Sequence, residues 1–151
     1  MFSFISVSLR QTDPFPFTYL QHAVTLTGQD RVPVRLGATL KYSAESPFAV
    51  VMVLHAAGQG VEWHLSREQL LAGLHKHEGW GDVAVWPVVR WPGEDMICIR
   101  LAAASEGVVV EITRSALLAW LGETLRLIPR GSEPDYLCLD QVISGILHTE
   151  S

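Results

Sequence analysis

The stretch Val32-Pro33-Val34-Arg35-Leu36-Gly37-Ala38-Thr39-Leu40-Lys41-Tyr42 places Val32, Val34, Leu36, Ala38, Leu40 and Tyr42 at every second position. A period of two marks a β-strand with one buried face, because successive side chains leave a strand on opposite sides. Pro33 cannot donate to a ladder, so that end of the strand belongs at an edge or a bulge. Immediately upstream, Gly28-Gln29-Asp30 supplies a turn, and before it Leu20, His22, Val24 and Leu26 alternate with Gln21, Ala23, Thr25 and Thr27. Strands joined by so short a turn run antiparallel.

Downstream, Phe48 to Leu54 is apolar throughout, which predicts a central strand covered on both faces by a helix or a neighbouring subunit. Ala57-Gly58-Gln59-Gly60 turns the chain into Val61-Glu62-Trp63-His64-Leu65, where Val61, Trp63 and Leu65 share a face. Ser66 with Gln69 fits a capping box and Leu65 with Leu70 a hydrophobic staple, so a short helix begins at Arg67 and ends near Gly73. Gly79-Trp80-Gly81-Asp82 re-enters the sheet. Val83 to Val89, Met96 to Ala103 and Val108 to Ile112 then supply three strands, with turns at Trp91-Pro92-Gly93-Glu94 and Ser105-Glu106-Gly107. From Thr113 the period turns helical: Leu117, Leu121, Leu125 and Ile128 form a stripe flanked by Leu118, Trp120, Thr124 and Leu127, stopped by Pro129-Arg130-Gly131. That stripe is wider than one sheet face needs. Leu139, Val142, Ile143, Ile146 and Leu147 define a last amphipathic helix, with Asp140 near its start.

The predicted class is α+β, one domain with an antiparallel, barrel-like sheet in the order ββββ-α-βββ-α-α. Residues 1–18 lack a sustained period and read as an N-terminal arm outside the core, with the domain over 19–151. A chain of 151 residues suits a single domain. Apolar residues are 48% and charged residues 18%, which excludes global disorder and points to apolar surface shared with another subunit. Sixteen acidic against eleven basic residues, net −5, disfavour nucleic-acid and anionic-membrane surfaces. Cys98 and Cys138 show neither CxxC spacing nor a disulfide framework, so buried thiols in a reducing cytoplasm are expected, without zinc. Met1 to Leu9 lacks the basic n-region of an export signal, and the apolar run Ala49 to Leu54 is far too short to span a membrane.

No constellation announces catalysis. His75-Lys76-His77-Glu78 has i,i+2 spacing, which turns the two rings to different sides of a helix and reads as a solvated helix end. Glu62 and Glu68, or Glu94 and Asp95, are carboxylates with no positioned partner. Ser132 lacks a nucleophile elbow. Gly79-Trp80-Gly81 lacks the third glycine and the following helix of a phosphate loop. The sequence therefore assigns no catalytic, cofactor-binding or metal residue, expects no cofactor, and leaves partner-binding residues unknown. Trp63 and Trp86 read as core; Trp80, Trp91 and Trp120 stay open between a local role and a subunit contact.

Several stretches together resemble the SsgA-like proteins of sporulating actinomycetes. They are Lys41-Tyr42 through Ser46-Pro47-Phe48-Ala49-Val50, Val61-Glu62-Trp63, Ser66-Arg67-Glu68, Leu70, Gly73-Leu74, Gly81-Asp82-Val83 and Val85-Trp86-Pro87. Ile97-Cys98-Ile99, Leu118 to Leu121, Ile128 to Glu133 and Leu139-Asp140 extend the likeness, which covers roughly residues 19–148. The sequence departs from the family pattern at Ser46 (for Asp), Phe48 (for Tyr), Gln69 (for Leu) and Arg130 (for the second Pro of a Val-Pro-Pro-Gly stretch). The resemblance implies a Whirly or guide-RNA-binding type of fold assembled as a homotrimer. It also implies a non-enzymatic role in sporulation septation, with SsgB-type members helping to recruit the tubulin-like FtsZ to division septa and SsgA-type members helping to place them. The rival expectation, from fold analogy, is a single-stranded nucleic-acid-binding module.

Overall fold

The computed structural model describes residues 3–8, 15–103 and 106–136. Among them nine strands build one antiparallel sheet: β1 (Ser3–Ser8), β2 (Phe17–Thr27), β3 (Pro33–Ser43), β4 (Ala49–Ala56), β5 (Gln59–Ser66), β6 (Glu78–Trp80), β7 (Val83–Val88), β8 (Met96–Ala103) and β9 (Glu106–Thr113). Helix α1 (Arg67–Gly73) separates β5 from β6, and α2 (Arg114–Leu127) follows β9. The spatial order is β5-β4-β3-β2-β9-β8-β7-β6, with β1 on β2. Because β5 and β6 do not pair, the described sheet stays open rather than closing as a barrel.

Strand β2 joins the two halves. One of its edges pairs with β3 from Phe17↔Ser43 to Thr27↔Pro33; the other is divided, with Thr25–Thr27 taken by β9 and residues 17–22 by β1. The arm expected over 1–18 is thus corrected in two places: residues 3–8 are a strand, and Phe17-Thr18 open β2 with Thr18 buried. The backbone N–H and C=O groups along the free edge of β2 require partners, and β1 supplies them. Ile5 stays exposed, and the Ile5–Ser8 alternation is too short to sustain a period. The Pro33 end of β3 does lie at an open edge, since β4 pairs with β3 only from Gly37 onward.

Strand β4 is not central but one strand in from the β5 edge. Val50, Met52 and Leu54 are buried, whereas Ala49, Val51 and Val53 on the opposite face are half-buried and Phe48 is exposed. Ala57 and Gly58 close the β4–β5 hairpin with φ of 52° and 77°, the mirror-image turn whose twist matches a two-residue hairpin.

The Ser66 hydroxyl accepts the Gln69 N–H at 3.2 Å and caps α1. The capping box is only half formed, however. The Gln69 side chain is buried and donates instead to the carbonyls of Glu78 (3.0 Å) and Val83 (2.8 Å), tying β6 and β7 to the helix. Strand β6, three residues long, falls below the length at which a period can be read.

Helix α2 packs on β2, β8 and β9. Leu117, Trp120 and Leu121 are fully buried in the same core as Leu20, Leu40, Met52, Ile99 and Val110. The wide stripe around Trp120 is therefore satisfied within one copy, and Trp120 is not a subunit contact; Leu118 is the member left exposed. Residues 133–136 make one helical turn. The predicted helix over Leu139 to Leu147, and Cys138, lie outside the described residues.

Candidate functional site

Stretches far apart in sequence converge on Arg67, the first residue of α1. Its side chain is 1% exposed. Nη1 donates to the Thr124 carbonyl at 3.1 Å and the Ile128 carbonyl at 2.8 Å, so the guanidinium occupies the C-terminal end of α2, where the last carbonyls and the helix dipole favour a cation. The same group lies 4.8 Å from the centre of the Tyr42 ring and 3.5 Å from Glu133 Oε2. Tyr42 in turn donates to the Pro47 carbonyl at 2.8 Å, and burial pushes its hydroxyl up to about 12. Burial pushes the Glu133 carboxyl up, but its backbone N–H donors, that of Gly131 among them, and Arg67 outweigh this and hold it below the ordinary value. The Arg67 and Glu133 charges face each other across this node, although Arg67 Nε and Nη2 themselves make no hydrogen bond among the described residues.

The surface above this node belongs to α1, β6 and α2. Arg130 holds Glu68 through three bonds, Nε at 2.8 Å and 3.1 Å to the two carboxylate oxygens and Nη2 at 2.6 Å, on the rim of a groove of about 520 Å³ that also includes Leu71, Lys76, Trp80 and Leu118. Trp80 and Leu118 are 46% and 43% exposed. Replacing Arg130 with Pro removes only a screened surface pair, worth less than about 1 kcal/mol; thermal melting is expected to show the fold intact.

The β7–β8 loop presents a second exposed feature. Val89 is 80% and Trp91 94% exposed, while the residue between them is held firmly. The Arg90 guanidinium pairs with Glu111, and its backbone N–H donates to Asp95 at 3.3 Å. Trp91 thus stands out from an anchored loop.

On the sheet face away from the core, Trp86 lies opposite Cys98 in the β7–β8 ladder, beneath the ring of His77 at 5.6 Å. This corrects its expected core position: Val85 and Pro87 occupy the inward register with Ile99 and Ile97. Trp63 does pack partly buried against the core.

The other candidates are scattered. Glu62 sits 3.7 Å from His64 in β5, remote in role from Glu68 on Arg130. Glu94 and Asp95 belong to the β7–β8 loop, and Ser132 donates its N–H to the Pro129 carbonyl in a turn. Helix α1 stops before the His75-to-Glu78 run: His75 and Lys76 are exposed, His77 covers Trp86 and Glu78 enters β6. Gly81, with φ of 60°, turns β6 into β7. Among the described residues no three His, Cys, Asp or Glu side chains come together as a metal site. Cys98 is a buried free thiol pushed up to about 11 by burial, and no described helix is long and apolar enough to cross a membrane.

Sequence signalled Trp91 as ambiguous but gave no sign of its exposure, and the role of Arg67 was visible only as part of the Ser66-Arg67-Glu68 stretch. Residues 36–133 match the model of the SsgA family, described as Streptomyces sporulation and cell division protein. The chain is 35% identical over 125 residues to the sporulation-specific cell division protein SsgB of Streptomyces coelicolor, covering 82% of this chain and 89% of that one. It is 30% identical to SsgB of Salinispora tropica over 131 residues, 85% and 91% of the two chains. Two solved structures share the fold. An SsgA-like sporulation-specific cell division protein from Thermobifida fusca superposes with a TM-score of 0.79 at 32% identity, over 85% of this chain and 94% of that one. SsgB, mutations in which correlate with longitudinal cell division during sporulation of Streptomyces coelicolor, superposes with a TM-score of 0.73 at 30% identity, over 80% and 94%.

Proposed function

Because the chain belongs to the SsgA family of sporulation and cell division proteins, we propose that it is a non-enzymatic regulator of sporulation-specific septation. In this reading it self-assembles, as a trimer, and presents a protein-binding surface that helps position or recruit FtsZ at division septa, acting from the cytoplasm. The observation that carries the reading is likeness to SsgB across more than four-fifths of the chain. The apolar side chains left outside the core, above all Trp91, Val89, Trp80 and Leu118, support a role exercised through contacts, because exposed aromatic residues dominate protein interfaces.

A nucleic-acid-binding role has less behind it. It needs a basic groove with stacking aromatics, and on the sheet Lys41 stands over the Phe17 ring beside Tyr19 in a chain of net charge −5. One cation is a poor match for a phosphate track.

A fluorescent fusion in sporulating hyphae is expected to gather at septal positions together with FtsZ, and a null strain to lose or misplace sporulation septa while growing normally in the vegetative phase. A fusion that stays diffuse through septation, or a null strain with normal spore chains, overturns the assignment.

A further inference from the structure

We propose that the Trp91 loop is a docking knob for a second copy of this chain, and that it seats head to tail in a cavity on that copy's outer sheet face. The proposal deepens the self-assembly part of the functional reading and rests on it. It specifies the surface used.

The knob is defined by exposure and by anchoring. An indole exposed to 94% is costly to hydrate and gains most from a partner, and the loop around it is already fixed by the Arg90–Glu111 pair and the Arg90 N–H bond to Asp95. Docking such a loop loses little conformational freedom, which is what makes a preorganised anchor effective. Glu94, three residues on, makes no ion pair with another described residue. The knob therefore offers a flat aromatic ring and, three residues on, a carboxylate without an ion pair among the described residues.

The cavity is the complement of that pair. It has a volume of about 480 Å³, and Gly79, Gly81 and Ala84 keep its floor low. One wall is the stacked His77–Trp86 pair, against which a third ring can pack in an offset or edge-on geometry. The lining contains one acid, Asp82, and one guanidinium, Arg100, and Arg100 makes no ion pair with another described residue. Arg100 answers Glu94 as the aromatic wall answers Trp91.

The two features belong to opposite ends of β7. Gly81 and Ala84 flank its start at Val83, and Trp91 follows its end at Val88, about 20 Å away for a strand of this length. A copy therefore cannot fill its own cavity. Contact between copies is heterologous, with a different patch on each side, and such contacts close into rings when the rotation permits.

Size-exclusion chromatography with light scattering over a concentration series tests this directly. The wild-type chain is expected to assemble above the monomer mass. Trp91→Ala is expected to weaken assembly roughly thirty-fold, the effect of losing an interface aromatic anchor, with circular dichroism unchanged because the side chain touches little of its own fold. Glu94→Lys and Arg100→Glu each weaken assembly, and the chain carrying both regains it by reversing the pair. Mixing Trp91→Ala with Arg100→Glu yields a one-to-one complex, since one intact knob and one intact cavity remain. A monomeric wild type, or an assembly untouched by Trp91→Ala and Arg100→Glu, overturns the proposal. Both results leave septal placement in hyphae to be judged separately, so the failure of this surface and the failure of the septation role can be told apart.

Discussion

Replacing Arg67 with methionine is expected to cost roughly 3–5 kcal/mol, because it strands a buried carboxylate. The guanidinium joins Thr124, Ile128, Tyr42 and Glu133, so its removal takes the buried donor from the Thr124 and Ile128 carbonyls and leaves Glu133 with only backbone donors in a site where it is 5% exposed. Thermal melting should show a fall of about 10 °C, at roughly 2–4 °C per kcal/mol for a chain of this size. Arg67→Lys is not a rescue: a single ammonium cannot span both carbonyls and lie flat over the Tyr42 ring. The double variant Arg67→Met with Glu133→Gln should recover part of the loss, since no uncompensated charge remains. A loss below about 1 kcal/mol for Arg67→Met would mean that the buried pair is replaceable by packing alone.

The same pair makes a pH prediction with a definite sign. Glu133 titrates below its ordinary 4.5 in the folded chain, so its contribution is complete above that value and is lost as pH falls through the lower folded value. The stability gap between wild type and Glu133→Gln should be constant from neutrality to about pH 5 and narrow under further acidification.

What was legible in the sequence follows the strength of each local pattern. β2, β3 and the β4–β5 hairpin carry long alternation or a glycine turn, and α2 carries a helical stripe, so their positions follow from period alone. β1 was not legible because it holds its place through backbone bonds to a free edge, and β6 because three residues have no period. Trp86 shows where size misleads. Valines at 83 and 85 share one parity and Trp86 the other; the large aromatic suggested the core, yet the valine parity is the one that meets Ile99 and Leu101. Arg67 and Gln69 were legible as helix-start residues but not as buried ones, because their partners lie 57, 61 and 14 residues away in the chain. The exposed Trp91 is similar: the turn was plain, whereas its exposure depends on what the rest of the fold leaves uncovered.

Gly73→Ala should lower stability by about 2 kcal/mol, although alanine is the better helix former by about 1 kcal/mol. The cause is the closeness of α1 to β7. A Cβ at position 73 would stand 2.2 Å from Val85 Cγ1 and 2.6 Å from Val85 Cβ, and Val85 is fully buried, so neither atom can swing away. Relief requires lifting α1 from the sheet, at the upper end of the 1–3 kcal/mol range for overpacking. Gly122→Ala supplies the control: it also lies in a helix, but its Cβ would meet nothing within 4 Å, so the same substitution should stabilise by up to about 1 kcal/mol. Chemical denaturation of the two variants should therefore move in opposite directions. Adding Val85→Ala to Gly73→Ala removes the 2.2 Å contact but leaves the one at Cβ, so the pair should be less destabilised than the sum of its parts. The displaced helix carries Arg67 at its start and the Gln69 amide that holds Glu78 and Val83. Lifting it strains both, and Gly73 is therefore a position where one added methyl group reaches the bonds that join α1 to the end of α2 and to strands β6 and β7.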